Sequence, residues 1–164
     1  MTFLPLGNVV VPQAIGDTST TKKVPLGRII QAEDPTYGVA EFIYLTGVAS
    51  TVVGSIVNFD DTFQTALDTS AVGGPPRPVA IAMSANVAGQ YGWYQISGMA
   101  IAVKANSVSF ADGASFAAGS GLAVAAATGT IINGGIVAAV ASAKSDVTTV
   151  LVCINRPHDP VDVS

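Results

Sequence analysis

Glycine and proline divide this chain into short apolar segments, and that spacing constrains the fold more than any other feature. Between residues 39 and 154, segments rich in β-branched, aromatic or small side chains alternate with Gly, Asp and Pro. Such punctuation interrupts long helices and central strands. Short strands at regular spacing with turn signals between them are typical of a β-sandwich or barrel. The sequence therefore predicts an all-β domain.

Nine segments have the composition of strands. EFIYLTGV, which begins at Glu41, is rich in β-branched and aromatic residues, and WYQISGMAIAVK belongs to the longest segment. The predicted strands cover residues 41–48, 55–59, 64–67, 79–84, 92–104, 115–117, 122–126, 135–141 and 147–154. Two Ala-rich stretches, 122–127 and 136–144, are also compatible with helix because Ala is the best helix former. Their glycines favour the strand interpretation.

The longest predicted strand alternates in a way that assigns its side chains to two faces. One face carries Trp93, Gln95, Ser97, Met99, Ile101 and Val103, and the other carries Tyr94, Ile96, Ala100 and Ala102. Gly98 interrupts the alternation and predicts a bulge or bend.

Residues 1–38 differ in composition from the strand region. Four prolines and four glycines break the segment, yet apolar clusters persist along it. A frayed terminus is one interpretation. The other is an extended N-terminal arm that buries these clusters against another molecule, because exposed valines are costly. The candidate interface residues of this arm are Leu4, Val9, Val10, Val11, Ile15, Val24, Leu26, Ile29 and Ile30. Residues 155–164 form a polar, proline-broken C-terminal tail.

Charge is scarce. Charged residues are 11% of the chain, against about 25% in typical soluble domains. A compact monomer of 16.5 kDa would expose about 7,500 Å², or roughly one charge per 400 Å². The net charge of −4 argues against nucleic-acid binding. The uncharged stretch 113–143 holds few of the large apolar residues that drive insertion, so no membrane span is expected. We expect a domain that associates with copies of itself.

No residue pattern predicts catalysis, a metal site or a cofactor. His158 is the sole histidine, and Cys153, Asp159 and Asp162 lie near it in sequence without the spacing of a metal motif. The prolines around His158 make a poor rigid platform for a site. Cys153 is predicted to pack as a small hydrophobe within a strand. A small enzyme would require His158 to meet Asp or Cys in a cleft.

Tyr91, Trp93 and Tyr94 form an aromatic cluster. Aromatic side chains dominate the energetics of cores and of subunit interfaces, and we therefore include the three residues as interface candidates. A glycan-binding platform is the alternative, and it requires that these rings be exposed.

Several phrases of the chain resemble small capsid decoration (cement) proteins of tailed bacteriophages. They are EFIYLTGVASTVVGSIVNF from Glu41, RPVAIAMSANVAGQYGWYQISGMAIAVKA from Arg77 and DGASFAAGSGLAVAAA from Asp112. The resemblance covers roughly residues 39–154 and lies in composition and phrase rather than in an active-site motif.

The resemblance implies a small β-barrel, β-tulip-like or jelly-roll-like domain of short antiparallel strands, commonly a homotrimer. It implies a structural protein of the virion that binds the major capsid protein on the outer surface of the mature shell and stabilises contacts between capsomers. The resemblance assigns no catalytic residue to this chain. A surface-displayed module, such as a head-fibre base or a glycan-binding adhesion domain, is the alternative.

Overall fold

The computed structural model describes residues 2–7, 10–70, 75–139 and 148–160. Among these residues, eleven strands and no helix are present. In chain order the strands are β1 (Leu4–Pro5), β2 (Ile29–Asp34), β3 (Gly38–Thr46), β4 (Ile56–Phe59), β5 (Thr65–Leu67), β6 (Val79–Ala82), β7 (Tyr91–Val103), β8 (Phe116–Gly119), β9 (Leu122–Ala125), β10 (Asn133–Ala139) and β11 (Thr149–His158). Since no described segment is helical, none is a helix that could cross a membrane.

The all-β class predicted from the sequence is confirmed. Each of the nine predicted strands overlaps one of β3 to β11. The Ala-rich segments for which a helix was the alternative contribute β9, which ends at Ala125, and most of β10, and none of their described residues is helical. Residues 140–147 lie outside the described part. Strands β1 and β2 lie in the N-terminal region, for which no strand was predicted.

Strand β7 is the centre of the larger sheet. Its first half pairs with β3 along one edge, and its other edge pairs with β6 and then with β11. Within the described residues this sheet follows the order β1-β2-β3-β7-β6-β4-β5, and β11 and β10 extend it from the second half of β7. All of these strand pairs are antiparallel, and β8 and β9 form a separate hairpin.

The predicted irregularity near Gly98 is confirmed, but its consequence for the two faces of β7 was not foreseen. Gln95 pairs with Phe42 and Ser97 pairs with Glu41, so Ile96 is an extra residue in β7. Gly98 follows with a φ of +98°. Because Phe42 and Glu41 project to opposite faces, Gln95 and Ser97 do so as well. The single-face assignment of Trp93, Gln95, Ser97, Met99, Ile101 and Val103 is therefore wrong beyond Gln95.

The buried amide of Gln95 satisfies the backbone that this bulge disturbs. Its Nε2 donates to the carbonyl oxygens of Ser97 and Met99, at 3.0 and 2.8 Å. A bulge removes carbonyl groups from the regular ladder, and buried carbonyls need donors. The side chain of Gln95 thus stabilises the point at which β7 changes direction.

One face of the sheet closes over an apolar core. This core contains Ile43 and Leu45 of β3, Tyr94 and Ile96 of β7, Val57 and Phe59 of β4, and Ala80 and Ala82 of β6. An isolated parallel bridge joins Thr46 to Gln64, so the chain before β5 meets the end of β3. The sheet curls without forming a closed barrel, and the barrel option is corrected to an open all-β sheet compatible with a jelly-roll-like fold.

The opposite face of the same sheet carries two further apolar clusters. Phe42, Gln95 and Ile81 are direct neighbours across β3, β7 and β6 and therefore share this face. At one end the β8–β9 hairpin covers it, and Phe116 and Ala118 pack against β4, β6, β7 and β11. At the other end the N-terminal segment covers Phe42, Tyr44 and Trp93.

Part of the N-terminal segment packs against its own chain, so the expectation of burial against another molecule is corrected for Ile15 and Ile30. Phe3, Ile15 and Ile30 are buried within the cluster around Trp93, and β2 is a strand of the sheet. The physical reason is that β3 and β7 carry bulky aromatic side chains that need a cover. A sequence does not show whether such a cover is supplied by the same chain or by a neighbouring molecule.

Gln13 fixes this cover through both ends of its amide. Its Oε1 accepts a hydrogen bond from the Tyr44 hydroxyl at 2.6 Å, and its Nε2 donates to the carbonyl of Tyr91 at 2.8 Å. The indole Nε1 of Trp93 donates to the carbonyl of Gln13 at 3.0 Å. The cover is thereby held in one position over the two aromatic rings.

Part of the predicted C-terminal tail is strand in the structure. Strand β11 continues to His158, Pro157 is buried, and Asp159 is 8% exposed. Pro157 is tolerated because it lies near the end of the strand. Residues 161–164 of the predicted tail lie outside the described part of the chain.

Candidate interaction surface

Four of the predicted interface residues lie in the core and offer no surface. Ile15 and Ile30 are each 6% exposed, Trp93 is 1% exposed and Tyr94 is not exposed. Four others are half-buried against the cluster around Trp93: Val11, Val24, Leu26 and Tyr91. Leu4, Val10 and Ile29 are exposed, and Val9 lies outside the described residues.

The aromatic cluster does not form a platform. Trp93 contacts Tyr44 edge-to-face at 5.0 Å between ring centroids, below the N-terminal cover. Tyr94 lies on the other side of the sheet, where its hydroxyl accepts a hydrogen bond from Asn86 Nδ2 at 3.0 Å. Burial raises the pKa of the Tyr94 hydroxyl above its usual value, as expected for a phenol that is removed from water. The two rings therefore belong to two separate cores.

A row of apolar side chains crosses the exposed part of the sheet. Leu4 of β1 pairs with Glu33 of β2, which pairs with Val39 of β3. Directly opposed residues of antiparallel strands share a face, so these three side chains lie together. Leu4 is 63% exposed and Val39 is 51% exposed.

The row continues on the other half of the sheet. Met99 of β7 pairs with Cys153 of β11, which pairs with Ile136 of β10. Ile136 is 48% exposed, and Met99 and Cys153 are half-buried. The two halves adjoin because the backbone at Gly98, beside Met99, lies against the carbonyl of Val39. We call these six residues the apolar row: Leu4, Glu33, Val39, Met99, Cys153 and Ile136.

A polar row runs beside the apolar row. Gln31, Glu41, Ser97 and Asn155 are direct neighbours across β2, β3, β7 and β11. Arg156 Nη2 forms an ion pair with Glu41 Oε2 at 3.0 Å, and Gln31 Nε2 reaches Glu41 Oε1 at 3.4 Å. An apolar strip bordered by polar groups has the composition of a protein interface, in which a dehydrated centre is surrounded by a hydrated rim.

The apolar row has one ionisable carboxylate, that of Glu33, and the thiol of Cys153. Its strand positions are rigid, and the arrangement can exclude water from a flat partner without supplying acid or base chemistry. Sequence reasoning selected Leu4 of this row as an interface residue. It also selected Ile29, which the structure places on the same face of β2 as Glu33. It missed Val39, Met99 and Ile136 as surface residues. The alternation of Val39 with Ala40 and Phe42 was a usable signal, whereas the bulge concealed Met99.

Of the residues considered for an enzyme site, Cys153 and His158 lie apart, and Asp162 lies outside the described residues. Cys153 lies mid-strand between Met99 and Ile136, whereas His158 pairs with Asn133 at the end of β11. The prediction that Cys153 packs within a strand is confirmed. His158 Nδ1 contacts the carbonyl oxygen of Asp159 at 2.8 Å. Across the described ranges, no group of three or more His, Cys, Asp or Glu side chains could hold a metal ion.

A cleft of about 420 Å³ lies between the N-terminal segment and the turn that contains Val53. Its walls include Phe3, Ile15, Met83 and Ile101, and Asp17 is the one ionisable side chain among the lining residues that are described. A single carboxylate in an open apolar cleft gives no acid–base pair. The apolar row is therefore the better candidate for a functional surface.

Comparisons of the chain with protein-family models, with curated protein sequences and with solved structures give no match. The functional argument therefore depends on the residues and the geometry given above.

Proposed function

We propose that this chain is a structural protein of a bacteriophage virion that binds the outer surface of the mature capsid and stabilises contacts between capsomers. The observation that carries the proposal is the apolar row, which lies on rigid strands and is bordered by the Glu41–Arg156 ion pair. The sequence resemblance to decoration proteins supports the same conclusion.

The physical basis is binding to the assembled state. A protein that binds the assembled shell and not its dissociated subunits stabilises the shell by mass action. Burial of Leu4, Val39 and Ile136 against the major capsid protein supplies apolar contact area. The adjacent polar row fixes orientation, because misaligned polar groups would lose their partners on contact.

Self-association is part of the proposal. The accessible surface of the chain is 7717 Å², close to the value of about 7,500 Å² expected for a compact monomer. Charged residues are 11% of the sequence, so much of this surface is uncharged. An oligomer, for which we propose a homotrimer, would cover part of it. Several copies joined in one particle also bind a lattice more tightly than single copies do.

The glycan-binding alternative has lost the observation on which it depended. It required exposed rings, and Trp93 and Tyr94 are buried. Tyr91 is half-buried beside the ring of Tyr44. A single partly covered tyrosine does not make a stacking platform.

The test is occupancy on heads of the encoding phage from which this protein has been removed. Val39→Lys and Ile136→Lys place a charge in the apolar row at residues that are 51% and 48% exposed. Val87→Lys is the matched control, since Val87 is 38% exposed and lies beside Gly47, at the end of β3 opposite to Val39. We expect the two row variants to reduce occupancy at least tenfold, because a Lys charge loses hydration on contact, and the control to bind as the unchanged protein does.

Equal occupancy for all four proteins would contradict the assigned surface. Failure of the unchanged protein to bind such heads would contradict the function itself. Light scattering of the purified protein addresses self-association separately, and a monodisperse particle of 16.5 kDa at micromolar concentration would contradict it.

A further inference from the structure

Two carboxylates meet inside the protein at a place that the proposed function does not use. Asp68 follows β5 and is 1% exposed, and Asp159 follows β11 and is 8% exposed. The backbone holds both residues in place. Asp68 N donates to the carbonyl of Ile56 at 3.0 Å, and Asp159 N donates to the carbonyl of Arg77 at 2.9 Å.

The oxygen atoms of the two carboxyl groups have too few donors. Asp68 Oδ1 accepts from Asn58 Nδ2 at 3.2 Å and from the backbone N–H of Ser70 at 3.0 Å. Asp68 Oδ2 and Asp159 Oδ1 are buried and have no hydrogen-bond partner among the described residues. Neighbouring contacts bring the two residues together: Asn58 binds Asp68, Phe59 N donates to the carbonyl of Pro78 at 3.1 Å, and Pro78 forms a β-bridge with His158, the residue before Asp159. In this arrangement Asp159 interacts with Asp68 through charge and through a side-chain hydrogen bond. Two ionised carboxylates are acceptors only and cannot form that bond, whereas a protonated carboxyl donates.

Among the residues that the structure describes, the other polar groups near the pair do not neutralise its charge. Arg77 is exposed, and its attraction for Asp159 is weaker than the effects of burial and of Asp68. His158 is exposed and directs Nδ1 to the backbone carbonyl of Asp159 rather than to the carboxyl group. Asn58, whose Oδ1 is also unpartnered, carries no charge. Burial and the nearby Asp68 carboxylate together raise the pKa of Asp159 to about 7.

We propose that Asp68 and Asp159 share one proton and form a pH-sensitive contact that holds the end of β11 against the chain around β5 and β6. The proton lies between the two carboxyl groups and satisfies one unpartnered oxygen of each. Its loss places two negative charges side by side in a buried position, which loosens the end of β11. This inference is independent of the capsid-binding proposal.

The direction of the pH effect follows from linkage. In the unfolded chain an aspartate releases its proton near pH 3.8, whereas the folded protein retains this proton until about pH 7. Between these values the folded state binds more protons than the unfolded state does. The contribution of the pair is therefore complete below about pH 4, is lost progressively up to about pH 7 and does not change above it.

The test compares urea midpoints at about pH 5 and about pH 8, which lie within and above the range of about pH 4 to about pH 7 in which stability depends on this proton. For the unchanged protein we expect a lower midpoint at the higher pH. Asp159→Asn supplies a permanent amide donor, so we expect a higher midpoint than that of the unchanged protein at the higher pH and a weaker dependence on pH. Asp61→Asn, which alters an exposed carboxylate in the turn between β4 and β5, is the matched control and should retain the original dependence.

A measurement on the unchanged protein guards against a variant that does not fold. In a carbon-13 NMR titration, we expect one buried Asp carboxyl carbon to titrate near pH 7. If no carboxyl group titrates between about pH 6 and about pH 8, no shared proton exists and the proposal is overturned. A rise of the midpoint in millimolar calcium that removes the pH dependence would also overturn it, because a cation would then occupy the site.

Discussion

The same face of the sheet is covered in two different ways. At one end the cover is the N-terminal segment, which lies on Trp93 and Tyr44 and is held by hydrogen bonds to Gln13. At the other end the cover is the β8–β9 hairpin, in which Phe116 is surrounded by alanines and β-branched residues. The first cover combines aromatic contact with specific polar bonds, whereas the second depends on close packing of small residues.

The difference shows how a chain with few charged residues can still specify one arrangement. The residues between β1 and β2 form no strand, so buried side-chain hydrogen bonds help to determine where they lie. A hairpin carries its own ladder and needs only a surface of matching shape. The two covers should therefore fail in different ways when they are altered.

The largest effect on stability is expected at the end of the sheet that the β8–β9 hairpin covers. Phe116→Ala should lower the free energy of unfolding by about 3–5 kcal/mol, because a buried ring is lost and the surrounding strands cannot close the cavity. Urea denaturation measures this loss. Phe110→Ala is the control, since Phe110 is only partly buried against the same cluster. An equal loss in both variants would mean that Phe116 has no special place in this cover.

A smaller effect on stability is expected at the end of the sheet that the N-terminal segment covers. Gln13→Ala removes the acceptor of the Tyr44 hydroxyl and two donated bonds, and should cost about 2–3 kcal/mol because the buried hydroxyl is left with no acceptor for its proton. Trp93 is the sole tryptophan, so its fluorescence should shift to longer wavelength as water reaches the ring. Gln31→Ala, at an exposed position, should change stability by less than about 0.5 kcal/mol. An unshifted emission spectrum for Gln13→Ala would show that the cover does not depend on this residue.

The smallest effect compares Gly135 of β10, which lies against the hairpin cover, with Gly16 in the N-terminal cover. A Cβ at Gly135 would lie 2.9 Å from ring carbons of Phe116, whereas a Cβ at Gly16 would meet nothing within 4 Å. Gly135→Ala should therefore cost about 1–2 kcal/mol through overpacking, and Gly16→Ala should be close to neutral. In a Phe116→Leu background, which removes part of the ring, the cost of Gly135→Ala should decrease. The same cost in both backgrounds would argue that the clash is not with Phe116.

Sequence reasoning recovered the strands well, because the signals for short strands are local. The run VAIA at residues 79–82 is apolar at every position, and β6 is buried on both faces. The turn between β8 and β9 lies at Ser120 and Gly121, which both have positive φ, and falls between the strands predicted at 115–117 and 122–126. Strand β2 was missed as part of the sheet because prolines and glycines flank it.

The candidate surface was only partly predictable. Leu4 was identified as an interface residue from its hydrophobicity, but the same criterion selected Ile15 and Trp93, which are buried. Hydrophobicity indicates that a side chain avoids water, and it does not indicate which partner covers it. The pairing of Met99 with Cys153 and Ile136 depends on a bulge whose register is a property of the paired strands.

The sequence by itself determined the all-β class, the positions of most strands and the scarcity of charge, since these follow from periodicity, propensity and composition. Only the tertiary structure decided that the N-terminal segment covers its own sheet and that β7 exchanges its faces at Ile96. It also decided that Asp68 meets Asp159. These features require residues far apart in the chain to be brought together, and local pattern carries no information about which of them will meet.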